Sequence, residues 1–243
     1  GTGTTCTAVS TTEVWDPTTG AWTAGPALPK VWLGGHAYAL SGNKAVILSG
    51  SSSCSAGVYV NAHVLDVATG IWTASVNNLA GDNLTNFPSS LVGGRVMMTG
   101  GKPGAGGLVR LVSVFDPAML TFTTLASIAT ARCNHVQVTL PGGGVLIAGG
   151  TSTFAAGSSA MSTTELYDPT TQTWAAGPSM AEPRWRNSAT LLSTGKVVVG
   201  NGMTAVAYPA LGAEIYDPVS NAWSAAGPMT QVRSDYLVLP LAS

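Results

Sequence analysis

The side chains best suited to binding or catalysis in this 243-residue chain lie in one short segment. Glu182, Arg184, Trp185 and Arg186 stand together in the run Glu-Pro-Arg-Trp-Arg-Asn. Such a cluster can grip a carboxylate with paired guanidinium N–H donors, stack on a sugar ring or anchor a protein partner. A carboxylate beside an arginine is also the arrangement that a general acid or base requires. The segment therefore predicts a binding surface, with an enzyme as the alternative.

Most other acidic residues belong to a repeat. An Asp, usually preceded by a hydrophobic residue and followed by Pro, recurs with an aromatic residue six positions later. The intervals between successive copies are 50, 50, 52 and 49 residues, and the copies are Asp16, Asp66, Asp116, Asp168 and Asp217. A structural unit of about fifty residues is therefore repeated along the chain.

Each unit is predicted to contain four short antiparallel strands, here named A to D. In the unit that follows Cys133, the strands are expected at residues 134–140, 144–148, 163–167 and 173–176, separated by Pro-Gly-Gly, Gly-Gly and Asp-Pro turns. No segment has a helical period. A four-stranded unit repeated radially is typical of a β-propeller blade, whose faces are buried only by its neighbours. The D-to-A connections and the long B-to-C loops are expected to share one face.

Residues at the same place in several units are expected to be structural, which shortens the list of candidates. Glu13, Glu165 and Glu214 recur three residues before their Asp, so eight of the eleven acidic residues are explained by architecture. The candidate ligand-binding residues lie in the D-to-A connections: Trp32, Arg132, Glu182, Arg184, Trp185, Arg186, Arg233 and Asp235. For Arg132, Arg184 and Arg233, the competing interpretation is structural, with the guanidinium bound to backbone carbonyls of the adjacent blade.

The unit resembles a Kelch repeat. Gly149-Gly150 closes the second strand, the Tyr-Asp-Pro run at residues 167–169 forms the third, and Trp174 follows six residues after the Asp. The resemblance extends over nearly the whole chain and implies an all-β Kelch-type propeller. It also implies ligand contacts for arginines ahead of strand A, because such residues often bind the ligand in Kelch recognition modules; Arg132, Arg184, Arg186 and Arg233 match that place.

The phase of the repeat predicts about five blades within a single domain, residues 1–243, with an incomplete first blade. Residues 12–15 and 21–24 supply its strands C and D, residues 235–241 supply its strand A, and no sequence is left for its strand B. Two interpretations stay open, a closed ring that lacks one strand and a fragment of a larger propeller. A vacant strand position would expose backbone donors and acceptors to which another chain could add a strand.

Metal and cofactor chemistry is not predicted. No two of the three His or three Cys have the spacing of zinc ligands. Copper radical oxidases share the Kelch-like fold but need two His and two Tyr ligands, with one Tyr and one His adjacent, and this chain has no such pair. Cys6 and Cys54 lie in equivalent loops of successive units. The sequence leaves open whether they form a disulfide or remain two separate thiols. Cys133 is expected to be a buried thiol.

Composition limits the classes of partner. Charged residues make up 9% of the chain, the net charge is -1 and no basic run occurs, so nucleic acid is not an expected partner. No apolar stretch approaches the roughly 20 residues that span a bilayer. The scarcity of charge favours an extracellular or cell-surface location.

The leading hypothesis is a non-catalytic module that recognises a protein or a glycan through its loop-rich face. The first alternative is a structural subunit of an extracellular assembly, in which other chains use the vacant strand position. The second is a propeller enzyme acting on carbohydrate, a hydrolase or epimerase, with Glu182 or Asp235 as acid or base. The chain has no nucleophile elbow, phosphate loop or dinucleotide fingerprint, which favours the non-catalytic hypotheses.

Overall fold

Short antiparallel strands joined by tight turns make up the regular structure. The computed structural model describes residues 9–31, 36–48, 50, 61–78, 89–101, 107–153, 160–205, 208–210 and 212–227. Within these ranges there are 20 strands and no helix. No helix that could cross a membrane occurs among the described residues.

Four sheets have the predicted strand order A-B-C-D. Among the described residues, no strand of one of these sheets pairs with a strand of another sheet. The first of these contains β3 (His36–Leu40), β4 (Lys44–Leu48), β5 (His63–Asp66) and β6 (Ile71–Ala74). The next contains β7 (Ser89–Val92), β8 (Arg95–Thr99), β9 (Val112–Asp116) and β10 (Thr121–Thr124). The third contains β11 (Val136–Thr139), β12 (Val145–Ala148), β13 (Thr164–Asp168) and β14 (Thr173–Ala176).

The last complete sheet carries an insertion between its strands B and C. It contains β15 (Ser188–Leu191), β16 (Val197–Gly200), β19 (Glu214–Asp217) and β20 (Ala222–Ala225). The insertion is a two-stranded ribbon of β17 (Met203–Ala205) and β18 (Tyr208–Pro209). The remaining sheet has only β1 (Glu13–Asp16) and β2 (Ala21–Ala24), which are strands C and D of the first blade. The predicted strand A at residues 235–241 lies outside the described residues, so closure of the ring stays a prediction.

The repeated Asp forms the turn between strands C and D. In all five blades, its Oδ1 accepts the backbone N–H two residues later, at 2.8 to 3.0 Å: the donors are Thr18, Ala68, Ala118, Thr170 and Val219. Four residues after the Asp, the backbone takes a left-handed conformation, with φ between 51° and 71°: at Gly20, Gly70, Leu120, Gln172 and Asn221. Hydrogen bonds from the backbone lower the pKa of Asp16, Asp66 and Asp168 below its ordinary value. The five aspartates are therefore structural.

The third, fourth and fifth blades each bury an aromatic pair against the preceding blade. The rings of Phe115 and Phe122 lie 5.0 Å apart and pack on Val46 and Val64 of the sheet before. Tyr167 with Trp174, and Tyr216 with Trp223, repeat this packing in the next two blades. Burial of one such side chain contributes about 1.5–3 kcal/mol. Because these apolar faces meet only between blades, neighbouring blades stabilise each other.

Candidate recognition site

The D-to-A connection and the start of the B-to-C loop meet on the same face of a blade. Trp185 and Met203 exchange two backbone hydrogen bonds, of 3.0 and 2.9 Å, and Cys133 pairs with Thr151 in the same way in the preceding blade. Gly202 makes this approach possible, because a Cβ there would lie 2.6 Å from the Trp185 carbonyl oxygen and its φ is 88°. The shared face predicted from the sequence is confirmed in these two blades.

Arg132 lies ahead of strand A and is fully buried. Its Nη1 donates to the carbonyls of Gly149 and Thr163, at 2.9 and 3.0 Å, and its Nη2 donates to Thr163 Oγ1 and Glu165 Oε1. Glu165 in turn accepts the backbone N–H groups of Ala129 and Thr130. We call this set of contacts the arginine clamp, which ties strands B and C to the connection before strand A.

Arg184 forms the same clamp one blade later. It donates to the carbonyls of Asn201 and Gly212 and to Glu214 Oε1, which lies 3.2 Å from Nη2. Its guanidinium is also fully buried, and Glu214 accepts two backbone N–H groups of the connection. These geometries support the structural interpretation of Arg132 and Arg184, because neither guanidinium reaches the surface. Their ligand-binding role stays a prediction that the buried geometry does not favour.

The carboxylate partners of the clamp occupy the recurrent structural position that the repeats predict for Glu165 and Glu214. The position three residues before the repeated Asp is Glu165 and Glu214 in the blades that have the arginine, but His63 and Ser113 in the second and third blades. In every blade this residue lies opposite the last residue of strand D, so the five positions are structurally equivalent. Arginine and glutamate therefore occur together in the same blades.

Arg186 is exposed and stacks on Trp185, which is half-buried. The Arg186 guanidinium carbon lies 4.8 Å from the centre of the Trp185 ring, a cation–π geometry, and the Arg186 side chain is exposed. Its backbone N–H donates to the Asn134 carbonyl of the preceding blade at 3.0 Å. Arg186 has a φ of 50°, a left-handed conformation that arginine rarely takes, whereas Asn134 fills the equivalent position with a residue suited to it.

Three buried polar atoms beside this pair lack a hydrogen-bond partner among the described residues. They are Trp185 Nε1, Asn187 Oδ1 and Asn201 Oδ1. The amide nitrogen of Asn201 is bound to Ser188 Oγ at 3.1 Å, so only its oxygen is left. A buried polar atom without a partner costs about 1–3 kcal/mol. Because the indole N–H and the two amide oxygens are buried, only a water or a ligand group that penetrates between these side chains would supply their partners. Sequence reasoning had missed Asn187 and Asn201.

Glu182 is the exposed carboxylate of the cluster. Its side chain is 48% exposed, and Oε2 lies 3.2 Å from Arg184 Nη2, so it adds a second acid to that clamp. The structure therefore joins Glu182 to Arg184 and Trp185 to Arg186. Trp32, Arg233, Asp235, Cys6 and Cys54 lie outside the described residues.

Histidine, cysteine and acidic side chains are dispersed in the described part of the chain. No group of three or more His, Cys, Asp or Glu side chains converges there. His135 is buried, and its Nε2 lies 2.8 Å from Thr99 Oγ1 of the preceding blade. Burial lowers the pKa of His135 to about 3, so the ring is neutral at pH 7 and links two blades.

The fold and the repeated contacts define the chain as a Kelch-type β-propeller, as its sequence predicts. Residues 132–181 match the Kelch motif family, in a segment that begins at the arginine of the first clamp and includes β11 to β14. No curated protein matches the chain.

A solved structure described as "Structure of YjhT" is similar to this chain, with a TM-score of 0.67. The match has 16% sequence identity and covers 85% of this chain and 68% of that one. At this identity the similarity concerns the fold alone.

Proposed function

We propose that this propeller is a non-catalytic recognition module, which binds a protein or a glycan through the face that carries the D-to-A connections. The observation behind the proposal is the contrast between two kinds of arginine. Arg132 and Arg184 are buried in clamps, whereas Arg186 is exposed and stacked on Trp185. The first kind ties strands together in the fourth and fifth blades, whereas the second kind has no equivalent in the fourth blade, where Asn134 takes the place of Arg186.

The chemistry of Trp185, Arg186 and the neighbouring asparagines limits the kind of ligand that this surface would bind. A guanidinium stacked on an indole is chemically suited to bind a carboxylate or sugar hydroxyls through its N–H edges. The buried oxygens of Asn187 and Asn201 would accept hydrogen bonds from hydroxyl or amide N–H groups that reach them. We therefore expect a ligand that combines acceptor and donor groups, such as an acidic peptide segment or a hydroxyl-rich glycan.

The experiment screens the wild-type protein on an array of defined glycans and an array of acidic peptides. The variant Trp185→Ala with Arg186→Ala should lose at least tenfold in affinity for the best probe, which corresponds to about 1.4 kcal/mol. Arg95→Ala is the matched control, because Arg95 is an exposed arginine at the start of β8, in the turn between strands A and B. Equal affinity of the double variant and the control would refute the site.

The enzyme alternative is tested on the same preparations. Glu182 is the exposed acid that such a reaction would use, and the Glu182→Gln variant keeps its size while removing the charge. Turnover of a glycosidase or epimerase substrate by the wild type, lost in this variant, would replace the recognition proposal.

A further inference from the structure

A groove lies between the second and third blades, on the face opposite to the candidate recognition site. It is formed by A-to-B and C-to-D turns, which lie at the other ends of the strands from the D-to-A connections. The structure describes every residue of these turns in the four complete sheets. The groove has two lobes, of about 490 and 240 Å³, which share walls at Ser41, Pro117 and Ala118. The larger lobe also includes Arg95 and Asp116, which supply one charge of each sign.

The groove is open because the A-to-B turn of the third blade is short. Only Gly93 and Gly94 connect β7 to β8, and their φ values are 54° and 79°. A Cβ on either glycine would meet no other described residue within 4 Å. The other complete sheets use three residues for this turn, at 41–43, 141–143 and 193–195.

The same turns meet between the fourth and fifth blades. Pro141 has the position in the fourth blade that Ser41 has in the second, because Leu140 and Leu40 end their strand A in the same register. A Cβ on Gly195 of the fifth blade would lie 3.3 Å from Pro141 Cγ. The groove is therefore a local feature of the second and third blades and is not required by the repeat.

Lys44 and an apolar wall define the chemistry of the smaller lobe. Lys44 begins β4 and is paired with Leu40 of β3, so the two side chains lie on the same side of the sheet. Pro117 and Ala118 of the third blade form the opposite wall. None of the residues that line this lobe is acidic. The lobe therefore combines one ammonium group with apolar surface.

The charge of Lys44 is less neutralised than that of its equivalent in the fifth blade. There, Lys196 Nζ lies 3.0 Å from Asp217 Oδ2. Asp66 has the corresponding place opposite Lys44, but its Oδ1 accepts two backbone N–H groups of its own turn. The backbone of Thr69 lowers the pKa of Asp66 most, and the charge of Lys44 contributes least. An anion in the groove would therefore find the ammonium group accessible.

We propose that this groove binds a small carboxylate with a short apolar body. The carboxylate binds the ammonium group of Lys44, and the apolar part packs against Leu40, Pro117 and Ala118. An exposed ion pair alone binds weakly, so burial of the apolar part supplies most of the affinity. The lobes are close in size to small-molecule sites, which have roughly 300–1,000 Å³. This site is separate from the proposed recognition site, because it lies at the other ends of the strands.

Hexanoate is the probe that tests the proposal, with amide chemical shifts of the wild-type protein as the readout. We expect saturable shifts at residues 41–44, 93–94 and 118, with a dissociation constant in the millimolar range. Acetate lacks the apolar body, and hexylamine has the opposite charge. Both should bind at least tenfold more weakly than hexanoate.

Two pairs of variants test the assignment of the residues. Lys44→Met should weaken hexanoate binding roughly two- to fivefold, whereas Lys196→Met, at the equivalent place in the fifth blade, should leave it unchanged. Ala118→Phe should weaken binding at least tenfold, because the larger side chain fills the wall shared by the two lobes. Ala68→Phe is its matched control, since Ala68 has the same turn position in the second blade and does not line the groove. All four side chains are exposed or partly exposed, so the variants should fold.

Three results would overturn the proposal. The first is the absence of saturable shifts up to tens of millimolar hexanoate. The second is a set of shifts centred outside the turns of the second and third blades. The third is equal affinity of the wild type and the Lys44→Met variant, or of hexanoate and hexylamine, because the ammonium group would then have no part in binding.

Discussion

Breaking one arginine clamp should destabilise the propeller far more than removing the exposed arginine of the proposed recognition site. The perturbation is Arg132→Met, which retains much of the side-chain volume and removes the charge. Arg132 makes four hydrogen bonds, two of them to carbonyls, and its partner Glu165 is 5% exposed at the side chain. The substitution leaves the carboxylate buried with only the two backbone N–H donors of Ala129 and Thr130.

The size of the effect follows from the buried charge. Removing one partner of a buried ion pair costs about 3–5 kcal/mol. That is a large part of the roughly 5–15 kcal/mol by which domains are stable. For a chain of this length, the midpoint of thermal unfolding should fall by roughly 6–20 °C. Arg186→Met is the matched control, because that arginine is exposed, and it should change stability by less than about 0.5 kcal/mol.

The assay is equilibrium unfolding in urea, with the free energy of unfolding obtained from the midpoint and slope. The double variant Arg132→Met with Glu165→Met should recover part of the loss, because it leaves no buried charge unpaired. A loss below about 1 kcal/mol in Arg132→Met, or strict additivity of the two substitutions, would show that the clamp does not hold the blade.

Two further predictions concern the links between neighbouring segments. His135 is neutral in the folded chain because its pKa falls from 6.5 to about 3, so its stabilising contribution is present above pH 6.5 and is lost as the pH decreases. Between pH 7 and pH 5, the free energy of unfolding measured in urea should fall by about 2 kcal/mol more in the wild type than in the His135→Gln variant. Parallel changes of this free energy with pH in the two proteins would contradict the prediction. Gly202→Ala should cost more stability than Gly142→Ala. The backbone φ is 88° at Gly202 and 87° at Gly142, but only at Gly202 would an added Cβ meet nearby backbone. Equal midpoints of thermal unfolding in the two variants would refute this reasoning.

The sequence alone predicts the strands of the blades because the interactions that determine these strands are local. The alternation of apolar residues, the Gly-Gly pairs and the Asp-Pro turns placed the strands to within two residues, as at β11, predicted at residues 134–140 and found at Val136–Thr139. The Asp16 turn and its four copies follow from hydrogen bonds within five residues. Interactions of this range are visible in a single repeat.

The candidate site was only partly predictable because its contacts are not local. Glu165 is 33 residues from Arg132, and only the fold brings the two side chains together. The repeat separated Arg184 from Arg186, because only Arg184 has equivalents in other units, but it left open whether Arg184 binds backbone carbonyls or a ligand, which depends on this pairing. The unpaired oxygens of Asn187 and Asn201 result from packing that no pattern encodes.

The most direct test of the recognition proposal is the ratio of dissociation constants between wild type and the Trp185→Ala, Arg186→Ala variant, measured by titration calorimetry on the best array probe. We predict a ratio of at least ten in favour of wild type, measured at a temperature at which circular dichroism shows both proteins to be folded. A ratio near one would contradict the assignment of this pair as the recognition site.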